Sequence, residues 1–309
     1  MKLITDISSF REYDSIATIG FFDGVHLGHR FLLDKLKDIA LWKRKKTLVI
    51  TFENHPRTVL KSDYLPPLLT TNEEKIRLLE KTEIDACLML PFTQQMANHT
   101  AQKFFRKFLY QQLQINTLLI GHDHRFGKKR AASFVDCMKY GYEYGIMIEA
   151  GDVYFSEKDK HLSSSYIRDL LLQGNIAEAN RLLGYQYSIQ GEVVKGKGIG
   201  AQIGFPTANL SLPDERKLVP ERGVYAVSVF VNGEFYKGML NIGCRPTIGD
   251  ENEKSIEVHI LNFNSTIYSE KIDVFFVDKI RDEQRFNTIE KLTLQLQKDK
   301  RFVEKKLKF

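Results

Sequence analysis

The stretch Gly20-Phe21-Phe22-Asp23-Gly24-Val25-His26-Leu27-Gly28-His29 decides the fold, because it sets two imidazoles three residues apart where an apolar strand gives way to a helix. Upstream, Ser15–Ile19 reads as a short strand; downstream, Leu32, Leu33, Leu36, Ile39 and Ala40 recur at helical spacing. His26 and His29 therefore fall at a helix N-terminus. Unpaired amide groups and the positive end of the helix dipole attract phosphate oxygens there, and Gly24 and Gly28 let the backbone come close. Thr47–Phe52 follows as a second strand, giving the order of a parallel βαβ unit, whose ligands bind beyond the strand C-termini.

The alternation continues. Glu73–Lys81 reads as a helix, Ala86–Leu90 as a strand, and Thr100–Leu113 as a helix with Phe104, Phe105, Phe108 and Leu109 on its buried side. Thr117–Ile120 is a strand, Ala131–Tyr144 a helix and Ile146–Ala150 a strand. Five strands interleaved with helices predict an α/β, doubly wound parallel sheet of Rossmann-like type. The connection Glu53–Thr71, with Pro56, Pro66 and Pro67, is longer than usual and is a candidate flap over a site.

At 309 residues, 43% apolar and 27% charged, the chain has the make-up of a globular protein of two domains. Cys87, Cys137 and Cys244 are widely spaced and outside any CxxC pattern, which argues against a disulfide scaffold or a zinc site. No window approaches 18 consecutive apolar residues, so a cytoplasmic enzyme without a membrane segment is expected. The net charge of +6 is partly clustered, in Lys43–Lys46, Lys128–Arg130 and Lys298–Lys308. Such patches serve anionic small ligands as well as nucleic acid, and no helix-turn-helix or aromatic RNA-binding signature supports the second.

Beyond two short helices, Ser165–Leu172 and Ile176–Leu183, strands dominate: Ser188–Lys195, Val224–Val231, Glu234–Ile242, Ser255–Leu261 and Ile267–Val277. Asn232-Gly233 is a two-residue hairpin signal. A small antiparallel β-barrel closed by a terminal helix from about Thr288, with Asn287 and Glu290 spaced as a capping box, is predicted. The domains are accordingly 1–183 and 184–309. The second opens on the glycine-rich run Gly196–Leu210 (GKGIGAQIGFPTANL), where Thr207 and Asn209 lie on one side of an extended segment and the Thr207 hydroxyl is suited to Mg²⁺ held on ATP phosphates.

The first turn resembles the HxGH signature of the nucleotidylyltransferase superfamily. Over its full length the chain resembles the prokaryotic two-domain family of bifunctional riboflavin kinases and FAD synthetases. The motifs that carry the resemblance are GFFDGVHLGH, TFENHP (Thr51–Pro56), GHDHRFG (Gly121–Gly127) and SSSYIR (Ser163–Arg168) in the first domain. In the second they are GFPTANL, GVYAV (Gly223–Val227), NIGCRPT (Asn241–Thr247) and IEVHILNF (Ile256–Phe263), with QGNIAEANRLLG (Gln173–Gly184) between.

The resemblance implies that the barrel phosphorylates riboflavin to FMN with ATP and that the first domain adenylylates FMN to FAD, releasing pyrophosphate. Flavins are then substrate and product, and Mg²⁺ accompanies ATP. The catalytic candidates are Glu257 as base for the ribityl hydroxyl, and His26, His29 and Arg168 as donors to phosphate oxygens. Gly20, Phe22, Asp23, Gly24, Gly28, Ser164 and Ser165 are implied to bind nucleotide in the first domain, and Gly198, Gly200, Thr207 and Asn209 in the second. Thr207 and Asn209 are also the implied metal ligands, while Asp123, Phe126 and His55 are implied to border the flavin.

Some positions depart from the family pattern. Ala201 stands where an Arg is usual, Asn54 where a Pro is usual, His124 where a Phe is usual, and Lys129 and Ala132 replace glycines. His122 and His124 lack a third ligand at suitable spacing, so no dedicated metal site is expected there. Two other readings stay open on the residues: an adenylyltransferase whose barrel binds flavin without phosphorylating it, on account of Ala201, and a flavin-responsive regulator that binds nucleic acid through the basic patches.

Overall fold

A computed structural model describes residues 1–7, 15–60, 64–121, 127, 131–152, 154, 162–196, 198–244 and 254–308. They form two compact units, Met1–Ser163 and Ser164–Phe309.

In the first unit the elements are β1 (Lys2–Ile4), β2 (Ser15–Ile19), α1 (Leu27–Lys43), β3 (Lys46–Phe52), α2 (Pro56–Val59), α3 (Asn72–Glu80), β4 (Ala86–Leu90), α4 (Gln94–Ala97), α5 (Ala101–Phe104), β5 (Thr117–Ile120), α6 (Phe134–Tyr144) and β6 (Met147–Ala150). The strands pair in parallel in the order β1-β4-β3-β2-β5-β6. The chain winds outward from β2 to β3 and β4 on one side and reaches β5 and β6 on the other. The turn after β2 thus lies at the switch point of the sheet, where ligands of such folds bind. Alternate residues of each strand feed cores on opposite faces: Ala17, Leu48 and Leu118 on one, Ile16, Val49 and Leu119 on the other.

The expected strands Ser15–Ile19, Ala86–Leu90 and Thr117–Ile120 are observed with those limits. The differences from expectation have physical causes. The edge strand β1 was not expected, and it exists by pairing with Ala86–Leu88 of β4. The helix expected over 100–113 is α-helical only to Phe104 and continues as a π-helix through Phe105–Gln112, with Leu113 N donating to Phe108 O at 3.0 Å. The wider turn places consecutive Phe104 and Phe105, together with Phe108 and Leu109, in the core. α6 starts three residues late because Ser133 and Asp136 form a capping box. The connection 53–71 is not a flap along its whole length: Leu68, Leu69 and Thr70 at its end are buried.

The second unit begins with α7 (Ser164–Leu172) and α8 (Ile176–Leu183), separated by Gly174 at φ 74°. β7 (Ser188–Val194), α9 (Ile199–Gln202), β8 (Ala208–Ser211), β9 (Gly223–Val231), β10 (Glu234–Cys244), β11 (Lys254–Ile260), β12 (Lys271–Arg281) and α10 (Ile289–Lys306) follow. The strands close a barrel in the order β10-β11-β8-β7-β12-β9, every pair antiparallel. The hairpin turn carries Asn232 and Gly233 at φ 53° and 83°, both left-handed as a type I′ turn requires. Asn180 ties α8 to the barrel, donating to Phe276 O and accepting from Tyr187 N. α10 covers the barrel with Val303 and Leu307 against Phe205, Met239 and Leu261. Its cap is Thr288, whose hydroxyl accepts from Lys291 N, so the expected Asn287–Glu290 box is one residue out of register.

Candidate functional site

In the first unit the turn between β2 and α1 brings the two imidazoles together. His26 is the N-cap of α1, and its Nδ1 accepts from His29 N at 3.4 Å. That contact leaves the proton of the neutral ring on Nε2. The two rings stack with centroids 3.7 Å apart, and Phe22 packs edge-on against His29 at 5.2 Å. A Cβ at Gly28 would come within 3.3 Å of the His26 ring, and one at Gly20 within 3.1 Å of the Phe22 ring, so both glycines give room to the aromatic rings they neighbour. His29 Nδ1 is buried without a hydrogen-bond partner, and burial lowers the pKa of the ring to about 3. His29 is therefore neutral at physiological pH. The first turn of α1 carries no acidic residue to offset the positive end of its dipole.

Asp23, expected at the nucleotide, is 3% exposed, and its carboxylate braces the turn. Its oxygens accept from Leu69 N, Thr70 N and Thr70 Oγ1 at 3.0–3.1 Å, and Thr70 Oγ1 in turn accepts from Gly24 N. His55 caps α2 and packs edge-on against Phe21 at 4.7 Å, which brings it to the same turn. Asn54, in place of a proline, exchanges two hydrogen bonds with the Phe92 backbone.

Lys75 escaped the sequence reading. It is 1% exposed, shares the buried face of α3 with Leu79, and donates to Phe52 O at 2.7 Å with Phe21 O at 3.4 Å. Burial lowers its pKa to about 8, with Asp23 pulling the other way. A lysine at an apolar position of an amphipathic helix is the signal that could have found it. Ser164, Ser165 and Arg168 lie on α7 in the second unit, with Arg168 buried. Asp123 and Phe126 lie outside the described residues.

The barrel carries a second constellation. Glu257 on β11 is in register with Asn209 of β8 on one side and Asn241 of β10 on the other. Ile256, Val258 and Ile260 are buried, so Glu257 and His259 are carried on the opposite face. Both line a cavity of about 280 Å³ with Thr207, Asn241, Arg281 and Phe286. Thr207 Oγ1 lies 3.4 Å from Glu257 Oε2. His259 Nδ1 is 2.7 Å from Pro206 O and its ring packs on Phe205, which fixes the backbone beside Thr207. Burial lowers the His259 pKa, partly offset by the Pro206 carbonyl.

Two glycines of this loop lie at close approaches, and the one against a backbone oxygen leaves no room for a side chain. A Cβ at Gly196 would fall 2.0 Å from Asn209 Nδ2, and one at Gly200 would fall 2.3 Å from Phe205 O. Gly198, at φ 70°, starts α9. Sequence reasoning also missed Arg281, which lines the cavity and is held by Asp299 of α10 at 2.9 Å, with Gln295 donating to the same carboxylate. Thr207, Asn209 and Glu257 offer hard oxygen donors, the chemistry that suits Mg²⁺ carried on nucleotide phosphates. Among the described residues no group of three His, Cys, Asp or Glu side chains forms a self-sufficient metal cage.

Comparison with known proteins matches both parts of the chain to known families. An FAD synthetase family model matches residues 9–166 and a riboflavin kinase family model matches residues 183–307. A bifunctional riboflavin kinase/FMN adenylyltransferase of Buchnera aphidicola is 39% identical, the match covering 99% of this chain and 98% of that protein. One of Escherichia coli K12 is 38% identical over 97% and 96%. A crystal structure described as a macrolide-efflux protein from Streptococcus pneumoniae superposes with a TM-score of 0.87 at 32% identity, covering 98% of each chain. Among the described residues of the present chain no helix is long and apolar enough to cross a membrane. With relatives matched over nearly their whole length and a family model on each part, the chain belongs to the bifunctional riboflavin kinase/FMN adenylyltransferase family.

Proposed function

We propose that the barrel phosphorylates riboflavin to FMN and that the first unit adenylylates FMN to FAD, with ATP as the second substrate of both steps. The observation that carries this reading is the pairing of Thr207 with Glu257 at 3.4 Å on the cavity wall, in a unit separate from the stacked imidazoles. In the first step Glu257 accepts the proton of the terminal ribityl hydroxyl while its oxygen attacks the γ-phosphorus and ADP leaves. Thr207 and Asn209 would hold Mg²⁺ with the triphosphate. That ion supplies neutralisation of charge on the phosphate oxygens.

In the second step the nucleophile is a phosphate oxygen of FMN, already an anion, so no strong base is needed. The task is to stabilise charge at the α-phosphate and on the departing pyrophosphate. His26, His29 and the N-terminal turn of α1 supply donors. His29 is neutral in the free protein, and a neutral imidazole still has one N–H to donate to a phosphate oxygen. His55, beside Phe21, is assigned to the flavin side of this turn.

The test incubates the protein with riboflavin, ATP and Mg²⁺ and separates the flavins by chromatography. FMN should form first and FAD after it. FAD made from supplied FMN but never from riboflavin would discard the kinase step.

A further inference from the structure

The imidazole-bearing turn has an unfavourable backbone. Phe22 and Val25 stand at φ 53° and 36°, a region that non-glycine residues avoid and that a β-branched residue tolerates least. Such a turn persists only when its surroundings hold it. On one side Asp23 and Gly24 are tied to Leu69 and Thr70. On the other, the Phe21 carbonyl accepts from Thr51 Oγ1 at 3.1 Å and lies 3.4 Å from Lys75 Nζ. The same ammonium donates to Phe52 O and sits 4.4 Å from the centroid of the Phe21 ring.

Burying an ammonium is costly, and an apolar side chain of equal length would fill this space without that cost. Packing alone therefore does not account for a lysine. The carbonyls it holds belong to the last residue of β3 and to the turn after β2, neighbouring strands at the carboxyl edge where the sheet binds its ligands.

We infer that Lys75 is a positioning residue for adenylyl transfer: it holds the Phe21 peptide so that the strained turn presents His26 and His29 to the reacting phosphates. This rests on the assignment of adenylyl transfer to the first unit. A residue that sets the placement of transition-state donors acts on kcat more than on KM.

The experiment uses the full chain and two variants, Lys75→Met and Thr51→Val, each assayed for FMN to FAD and for riboflavin to FMN. Lys75→Met should lower kcat for FAD formation about 30-fold, keep KM for ATP within about 3-fold, and leave riboflavin phosphorylation within about 2-fold of wild type. The ring proton resonances of His26 and His29 should move, reporting a changed stack. Thr51→Val, which leaves the ammonium, should lower kcat about 3-fold. A Lys75→Met protein with kcat within about 2-fold of wild type overturns the inference, as does a loss that only tracks the folded fraction with the imidazole resonances unmoved. Should Lys75→Met not fold, Thr51→Val decides: reduced kcat with moved resonances supports the role of the Phe21 peptide, and an unchanged variant overturns it. A wild-type chain that makes no FAD from FMN removes the underlying assignment as well, whereas an insensitive variant of an active wild type removes this inference alone.

Discussion

Burial fixes the protonation state of His29, and the sign of its effect on stability follows. Its folded pKa of about 3 lies below the ordinary 6.5, so between those values the unfolded chain binds a proton that the folded chain does not. Stability then rises with pH through that window and is lost on acidification. From pH 7 to pH 5 the loss amounts to about 2 kcal/mol. Urea unfolding followed by circular dichroism at both pH values should show it, with a smaller difference in His29→Gln. The ring Cε1 proton should keep a constant chemical shift between pH 5 and 8; a titration centred near 6.5 would contradict the buried, neutral ring. Glu257 invites a simpler test. Replacing it with Gln keeps size and polarity but removes the proton acceptor, so FMN formation should fall about 100-fold or more. Conversion of supplied FMN to FAD should continue at the wild-type rate in the same assay.

At the scale of elements, short apolar runs bounded by polar turns carry their own signal. β2, β4 and β5 were legible because their residues are buried throughout, whatever their neighbours. The imidazole turn was legible for the same reason, since strand, glycine and helix periodicity are all local. What escaped reading depends on partners distant in sequence. β8 forms only by lying between β7 and β11. β12 begins four residues later than the apolar pattern suggested because its register is set by β7 and β9. Lys75 looks like a surface lysine until Phe21 and Phe52 are placed above it. Asp299 is the same case on α10: amid a run of charges it reads as solvated, yet it is 1% exposed and pairs with Arg281. Removing one partner of a buried pair leaves the other uncompensated. Asp299→Ala should therefore destabilise the second unit by about 3 kcal/mol. Faster hydrogen exchange in peptides from 289–306, with the α1 peptides unchanged, would show that the loss stays in the barrel unit.

For the whole molecule, the separation of the two constellations makes a claim about how FMN travels. Glu257, Thr207 and Asn209 belong to the second unit and the stacked imidazoles to the first, and nothing in the chemistry of either step links flavin covalently to the protein. If the two units act as independent catalysts, FMN made by one is released to solvent and rebound by the other. Glu257→Gln alone should make FAD from riboflavin about 100-fold more slowly than wild type, and His29→Ala alone should accumulate FMN. An equimolar mixture of these two full-length variants should form FAD from riboflavin after a lag, because FMN must accumulate towards the KM of the adenylyl step before the second variant can use it. The lag should shorten as both proteins are concentrated, and added FMN should abolish it. If each variant is active in its own remaining step but the mixture yields no FAD, FMN passes only within one chain, and the two units are coupled rather than independent catalysts.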